Sequence, residues 1–134
     1  NFTSGTDKLR LIGDYLTADL STTVADAGND VAYGAGVDLN GVGTGDDTVQ
    51  VVGSGTKTAT TTDLLTIADL NAALGAITNE AVADERVLVF NSGDGNAAVY
   101  KYTAADTSGA LTAAELQLIA IVDSNIAAGD LLFT

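Results

Sequence analysis

The chain has 134 residues and 46% hydrophobic content, enough for one domain with a real core and not comfortably enough for two. Its 5 Lys and Arg stand against 18 Asp and Glu, a net charge of −13, which excludes the basic footprint that holds phosphate backbones or anionic lipid; nucleic acid and membrane surfaces drop out as partners. His, Cys, Met, Trp and Pro are all absent, so the Ser-His-Asp and Cys-His nucleophile systems cannot be assembled, and the nitrogen and sulfur ligands of zinc, copper and haem are missing.

Residues 2–20 contain the alternating stretch Lys8-Leu-Arg-Leu-Ile12 followed by Gly13-Asp14, which predicts a strand with one wet face. From 21 to 62 the chain is Gly, Asp, Thr and Val in short units, and within it residues 48–52 (Thr-Val-Gln-Val-Val) predict a strand. Thr66 as N-cap, Asp69 at N3, Ile67, Leu70, Leu74 and Ile77 at helical spacing and Gly75 near the end predict one short helix. Residues 86–90 and 97–103 are strand runs joined by Asn91-Ser-Gly-Asp-Gly-Asn96, a loop of residues that tolerate positive φ, and predict a β-hairpin. A loop at 105–110, the apolar run 116–122, a turn around 123–129 and the apolar residues 131–134 extend this into an antiparallel meander. Leu88, Phe90, Val99, Leu118, Ile121 and Phe133 are its expected core. The expected fold is mainly β in one domain: an antiparallel sheet or sandwich with Gly/Asp-rich, β-roll-like loops and one or two short helices. It divides into a Gly/Asp-rich β region (1–62), a short helix (63–79) and the meander (80–134).

Any metal chemistry has to be all-oxygen. Of the 18 acids, only Glu80, Glu85 and Glu115 are Glu; the rest are Asp, whose short side chain suits turns and hard-cation loops. An acidic surface of this kind also keeps a protein soluble without binding any ion. Gly28-Asn-Asp30, Gly36-Val-Asp38 and Gly45-Asp-Asp47 repeat one unit, with Asp30, Asp38 and Asp47 spaced 8 and 9 residues apart and Asp46 beside the last. A calcium ion needs about 6 to 8 oxygens, which successive Gly/Asp turns supply as carboxylates and carbonyls; a Gly/Asp-rich loop without an ion is the alternative. The stretch 104–115 reads as an EF-hand-like loop with oxygens from Asp106 and Ser108, the turn Gly109 and the carboxylate Glu115, although Ala104 occupies the first ligand position. Thr112-Ala-Ala-Glu115 reads equally as a capping box, with Gly109 making the turn before a short helix. Asp94 and Asn96 in the hairpin loop complete the candidate Ca2+ ligands. Catalysis by two carboxylates needs no His, but nothing local supports it, and 4 Tyr, 3 Phe and no Trp leave few sugar-stacking platforms, so the chain is expected not to be an enzyme.

The 8- and 9-residue spacing resembles the nonapeptide of RTX, or haemolysin-type, calcium β-rolls, best in Gly43-Thr-Gly45-Asp-Asp47-Thr-Val49, while Gly53-Ser-Gly55-Thr-Lys57 places Lys where a carboxylate belongs. Phe2-Thr-Ser-Gly-Thr-Asp-Lys-Leu9 resembles the strand that follows the calcium repeats in those proteins. Residues 98–103, 106–116, 119–122 and 128–133 are similar to their closing pattern, and residues 15–80 depart from it. The resemblance implies export by type I secretion with an uncleaved C-terminal signal, calcium-triggered folding outside the cell, and service as an adhesin, a surface-layer domain or the tail of a secreted enzyme. The start at Asn1, with neither Met nor a signal-type stretch, reads as a fragment or processed form; no apolar run approaches the roughly 18 to 20 residues that span a bilayer, so no membrane insertion is expected.

The expected function is that of a secreted, cell-surface, calcium-binding structural domain that self-associates into a homopolymer or surface lattice. Few Lys and no Pro leave a sheet edge without two common safeguards against pairing. The alternatives are an adhesin-type module recognising glycan or a surface protein through residues 28–47, and the C-terminal export tail of an upstream enzyme.

Overall fold

A computed structural model describes residues 2–11, 30–38, 49–52, 63–83, 85–127 and 130–133. In it the chain forms strands β1 (Leu9–Leu11), β2 (Asp30–Val31), β3 (Val37–Asp38) and β4 (Val49–Val52). A 3-10 turn (Asp63–Leu65) and helix α1 (Ile67–Leu74) follow, then β5 (Ile77–Thr78), β6 (Glu85–Asn91), β7 (Ala97–Thr103), β8 (Leu116–Val122) and β9 (Leu131–Phe133).

The run Val87-Leu-Val-Phe90 in β6 is apolar at four successive positions, a pattern that a strand tolerates only when both of its faces are covered. Both are. Leu88 and Phe90 join Ala98, Tyr100 and Tyr102 of β7 in a core completed by Leu64, Leu70, Ala73, Leu74, Ile77 and Leu111. Val87 and Val89 point the other way, into a second core with Ala97, Val99, Val122, Ile126 and Leu131, against which Phe2 and Leu9 pack. On the helix side Phe90 and Tyr100 meet edge to face with centroids 6.0 Å apart, a geometry that aromatic quadrupoles favour. The Tyr100 hydroxyl, its pKa raised by burial, donates to the Leu64 carbonyl at 2.7 Å and ties the sheet to the 3-10 turn.

The central sheet has the order β2-β4-β6-β7-β8. The hairpin β6–β7 and its neighbour β8 are antiparallel, as the sequence predicts, but β2 and β4 extend the same sheet in parallel, with Val49 opposite Val87 and Val52 opposite Phe90. The physical reason lies in the connection. A parallel neighbour needs a crossover of about a dozen residues or more, usually through a helix, and α1 sits between β4 and β6 and packs on that sheet. Two further two-stranded parallel pairs, β3–β5 and β1–β9, lie outside the central sheet. The closing strand β9 therefore partners the first strand rather than the meander.

Helix α1 is capped as its sequence predicts: the Thr66 side chain accepts from the Asp69 amide at 3.3 Å, and Leu70, Ala73 and Leu74 face the core. Its C-terminal carbonyls need outside donors. Ala73 O accepts from Gly34 N at 2.6 Å and Leu74 O from Gly36 N at 2.9 Å. Gly36 has φ +82°, and a Cβ there would stand 2.8 Å from the Ala76 carbonyl; one glycine of the repeated Gly/Asp unit is thus accounted for by helix docking.

Two sequence expectations are corrected. Leu118 and Ile121, assigned to the core, are exposed at 46% and 43%; β8 is the end strand of the central sheet among the described residues, with β7 as its neighbour. The second helix, expected after Thr112, is a single turn at residues 113–115, because Leu116 pairs with Tyr102 and starts β8 before a helix can propagate. No helix of the described residues is long and apolar enough to cross a membrane.

Candidate functional site

The carboxylates that the sequence marks as ion ligands fall at opposite ends of the β6–β7 hairpin. Asp94 and Asn96 sit in its turn, whereas Asp106, Ser108 and Glu115 lie beyond the far end of β7. A strand of 7 residues separates them by about 23 Å, so the two sets cannot share an ion. In the turn, Ser92 N donates to Asn96 O at 2.8 Å and Asn96 N to the Ser92 hydroxyl at 3.1 Å; the same hydroxyl bonds Asp94. These contacts close the hairpin.

At the other end Glu115 is 3% exposed. Its Oε1 accepts from the Ala105 amide at 2.9 Å, and its Oε2 accepts from the Thr112 amide and hydroxyl, each at 2.8 Å. Burial pushes the Glu115 carboxyl up, and nearby Asp106 adds to that. The Ala105 amide and both Thr112 donors outweigh them and hold it below its ordinary value of 4.5. Asp106 accepts from the Ser108 amide at 2.7 Å, and bonding to Ser108 keeps its carboxyl below the usual 3.8. The Thr112–Glu115 contact is the capping box of the sequence, closing a turn rather than a helix.

Asn71 pins this loop to α1: its Oδ1 accepts from Leu111 N at 2.7 Å and its Nδ2 donates to Leu111 O at 2.8 Å. The same device recurs at the hairpin turn, where Asn91 accepts from Ile126 N at 2.8 Å and donates to Ile126 O at 2.9 Å. Each amide imitates a strand partner and seats one buried aliphatic residue, Leu111 or Ile126, in one of the two cores.

A third carboxylate, absent from the sequence-derived ligand set, is the most enclosed among the described residues. Asp130 is 2% exposed. Its Oδ1 accepts from Gly5 N at 2.7 Å; its Oδ2 accepts from the Ser4 hydroxyl and, at 3.0 Å, from Ala127 N. Lys8 Nζ approaches to 3.9 Å. Burial alone would raise its pKa, but the Ser4, Ala127 and Gly5 donors and the Lys8 charge together hold it below 3.8. This clasp fastens the turn at residues 3–7 beside the β1–β9 pair. Its signal in the sequence was the Ser-Gly turn before β1 and the lone Asp before the closing apolar residues.

Asp30 lies in β2 of the central sheet and Asp38 in β3 of a separate pair, so their backbones belong to different sheets; Asp46 and Asp47 lie outside the described residues. Among the described residues, no group of three or more His, Cys, Asp or Glu is gathered for a metal. Glu115 already accepts from the chain's own donors on both carboxylate oxygens. Compared with protein-family models, curated proteins and solved structures, the chain matches none.

Proposed function

We propose that the chain is a non-catalytic structural and assembly domain of a secreted, RTX-like surface or filament-forming protein, exported by type I secretion and stabilised by calcium outside the cell. The observation that carries the assembly reading is the end of the central sheet. Strand β8 pairs with β7 alone among the described residues and carries no charged side chain, and an uncharged edge of this length invites pairing. The RTX resemblance is supported by position: two of the stretches that carry it, residues 2–9 and the described residues 130–133 of the closing stretch, are neighbours through β1–β9 and the Asp130 clasp. The finer architecture, a sandwich with β-roll-like Gly/Asp loops, belongs to the same proposal, as does calcium binding by Asp30, Asp38, Asp46 and Asp47.

Two measurements test it. Sedimentation velocity over a concentration series is expected to show reversible self-association; a monomer at every concentration contradicts the assembly reading. Thermal unfolding is expected at a higher temperature in calcium than in chelator, since a ligand bound only by the folded state stabilises it; equal melting temperatures contradict the calcium reading.

A further inference from the structure

The second core is covered by two stretches that lie far apart in the sequence. Its sheet side is Val87, Val89, Ala97, Val99 and Val122, and against these pack Ile126, Leu131, Phe2 and Leu9. Ile126 belongs with the sheet, because Asn91 on β6 holds both its amide and its carbonyl. The other three sit in or beside β1 and β9.

What fastens these stretches is internal to them. Among the described residues β1 and β9 pair as strands only with each other, Leu9 opposite Leu131 and Leu11 opposite Phe133. The turn ahead of β1 closes on itself: Thr3 O accepts from Thr6 N at 3.1 Å and from Asp7 N at 2.8 Å, and Thr3 N donates to the Asp7 carboxylate at 2.8 Å. That turn presents Ser4 and Gly5 to Asp130, whose remaining partners are Ala127 N and Lys8. Among the described residues this buried carboxylate therefore draws its donors and its counter-charge from residues 4–8 and 127, with none from the central sheet. The helix-side core is tied differently, since the Tyr100 hydroxyl bonds the Leu64 carbonyl across the two layers.

A two-stranded pair is marginal on its own, so neither strand holds its place once the other leaves, and the Asp130 bonds are lost with either. Cooperative local openings follow supersecondary units of this kind. The strands of this pair have 3 residues each, against 7 in β6 and in β7. We infer that residues 2–11 and the closing stretch from Ala127 form one strap over the second core, latched by Asp130, which opens as a unit while the central sheet stays folded. The strap swings from Ala127, because Asn91 keeps Ile126 on the hairpin. Its opening bares Val87, Val89 and Val99, each 0% exposed while it is closed, and leaves the strand pairing of the central sheet intact. The inference concerns a single copy of the chain and does not depend on the assembly reading.

Native-state amide exchange in rising, sub-denaturing urea tests it, on the dilute wild-type chain and on Ser4→Ala. Ser4 is exposed, so this change removes one donor to Asp130 without touching either core. The amides of β1, β9, Gly5 and Ala127 are expected to converge on one opening, at least about tenfold more frequent than that of β6 and β7 and with a shallower urea dependence, because less surface is exposed. Ser4→Ala is expected to speed exchange in β1 and β9 by one common factor of about ten, the loss of a single hydrogen bond to a charged group. Amides of β1 and β9 that share the opening free energy and urea slope of β6 and β7 overturn the separate opening. Strands β1 and β9 that open at different free energies, or a Ser4→Ala effect that is absent or confined to residues 3–11, overturn the single latched unit.

Discussion

Asp130 holds two amides and a hydroxyl from residues far apart in the chain, and replacing it by Asn keeps the shape while removing the charge and one acceptor. Leaving a buried donor unmatched costs about 1–3 kcal/mol, so Asp130→Asn is expected to lower unfolding stability by that amount at pH 7 in urea titration. The pH dependence has a definite sign. The folded-state pKa lies below its ordinary value, so the stabilisation is full above the unfolded pKa of about 4 and fades as pH falls through the lower folded value. The stability gap between wild type and Asp130→Asn should therefore be constant from pH 7 to about 5 and shrink below about 4; a gap that widens in acid contradicts the clasp. Glu115 follows the same rule. At this scale the sequence was only partly legible. The Thr112–Glu115 box could be read from spacing, but Asp130, Asn71 and Asn91 bond residues 125, 40 and 35 positions away, and no local pattern encodes a partner that distant.

Among the elements, those made by local chemistry were legible and those made by long-range pairing were not. The N-cap at Thr66, the helix over α1, the hairpin β6–β7 and strands β4 and β8 follow from caps, turn residues and apolar periodicity. The parallel pairing of β4 with β6 was signalled by the helix between them, a βαβ arrangement that the turn-rich composition disguised as a meander. The C-terminal end of α1 gives the sharpest local test. Gly75 has φ +80°, and a Cβ there would lie 2.5 Å from Gly36 N and 2.8 Å from Gly34 O. A backbone conformation of this kind costs a residue with a side chain about 1–3 kcal/mol even without a clash, so Gly75→Ala is expected to destabilise by at least about 2 kcal/mol in thermal or urea unfolding. A neutral outcome contradicts the docking of residues 34–36 on the helix.

For the whole molecule, both faces of the central strand are covered, and the acidic groups with the least exposure among the described residues, Glu115 and Asp130, bond the chain's own donors. Leu118 and Ile121 read as core from hydrophobicity alone, and their exposure became visible only with the order of strands and the bulge at Ile119. That edge is where the molecular account is most exposed to test. Amide hydrogen exchange on the wild-type chain, followed at rising protein concentration, reports directly on the β8 backbone. The account expects amides of β8 that face away from β7 to exchange quickly in dilute solution and to gain protection with concentration, while those of β1 and β9 do not change. Equal exchange of the β8 amides at low and high concentration, with association present, would contradict it.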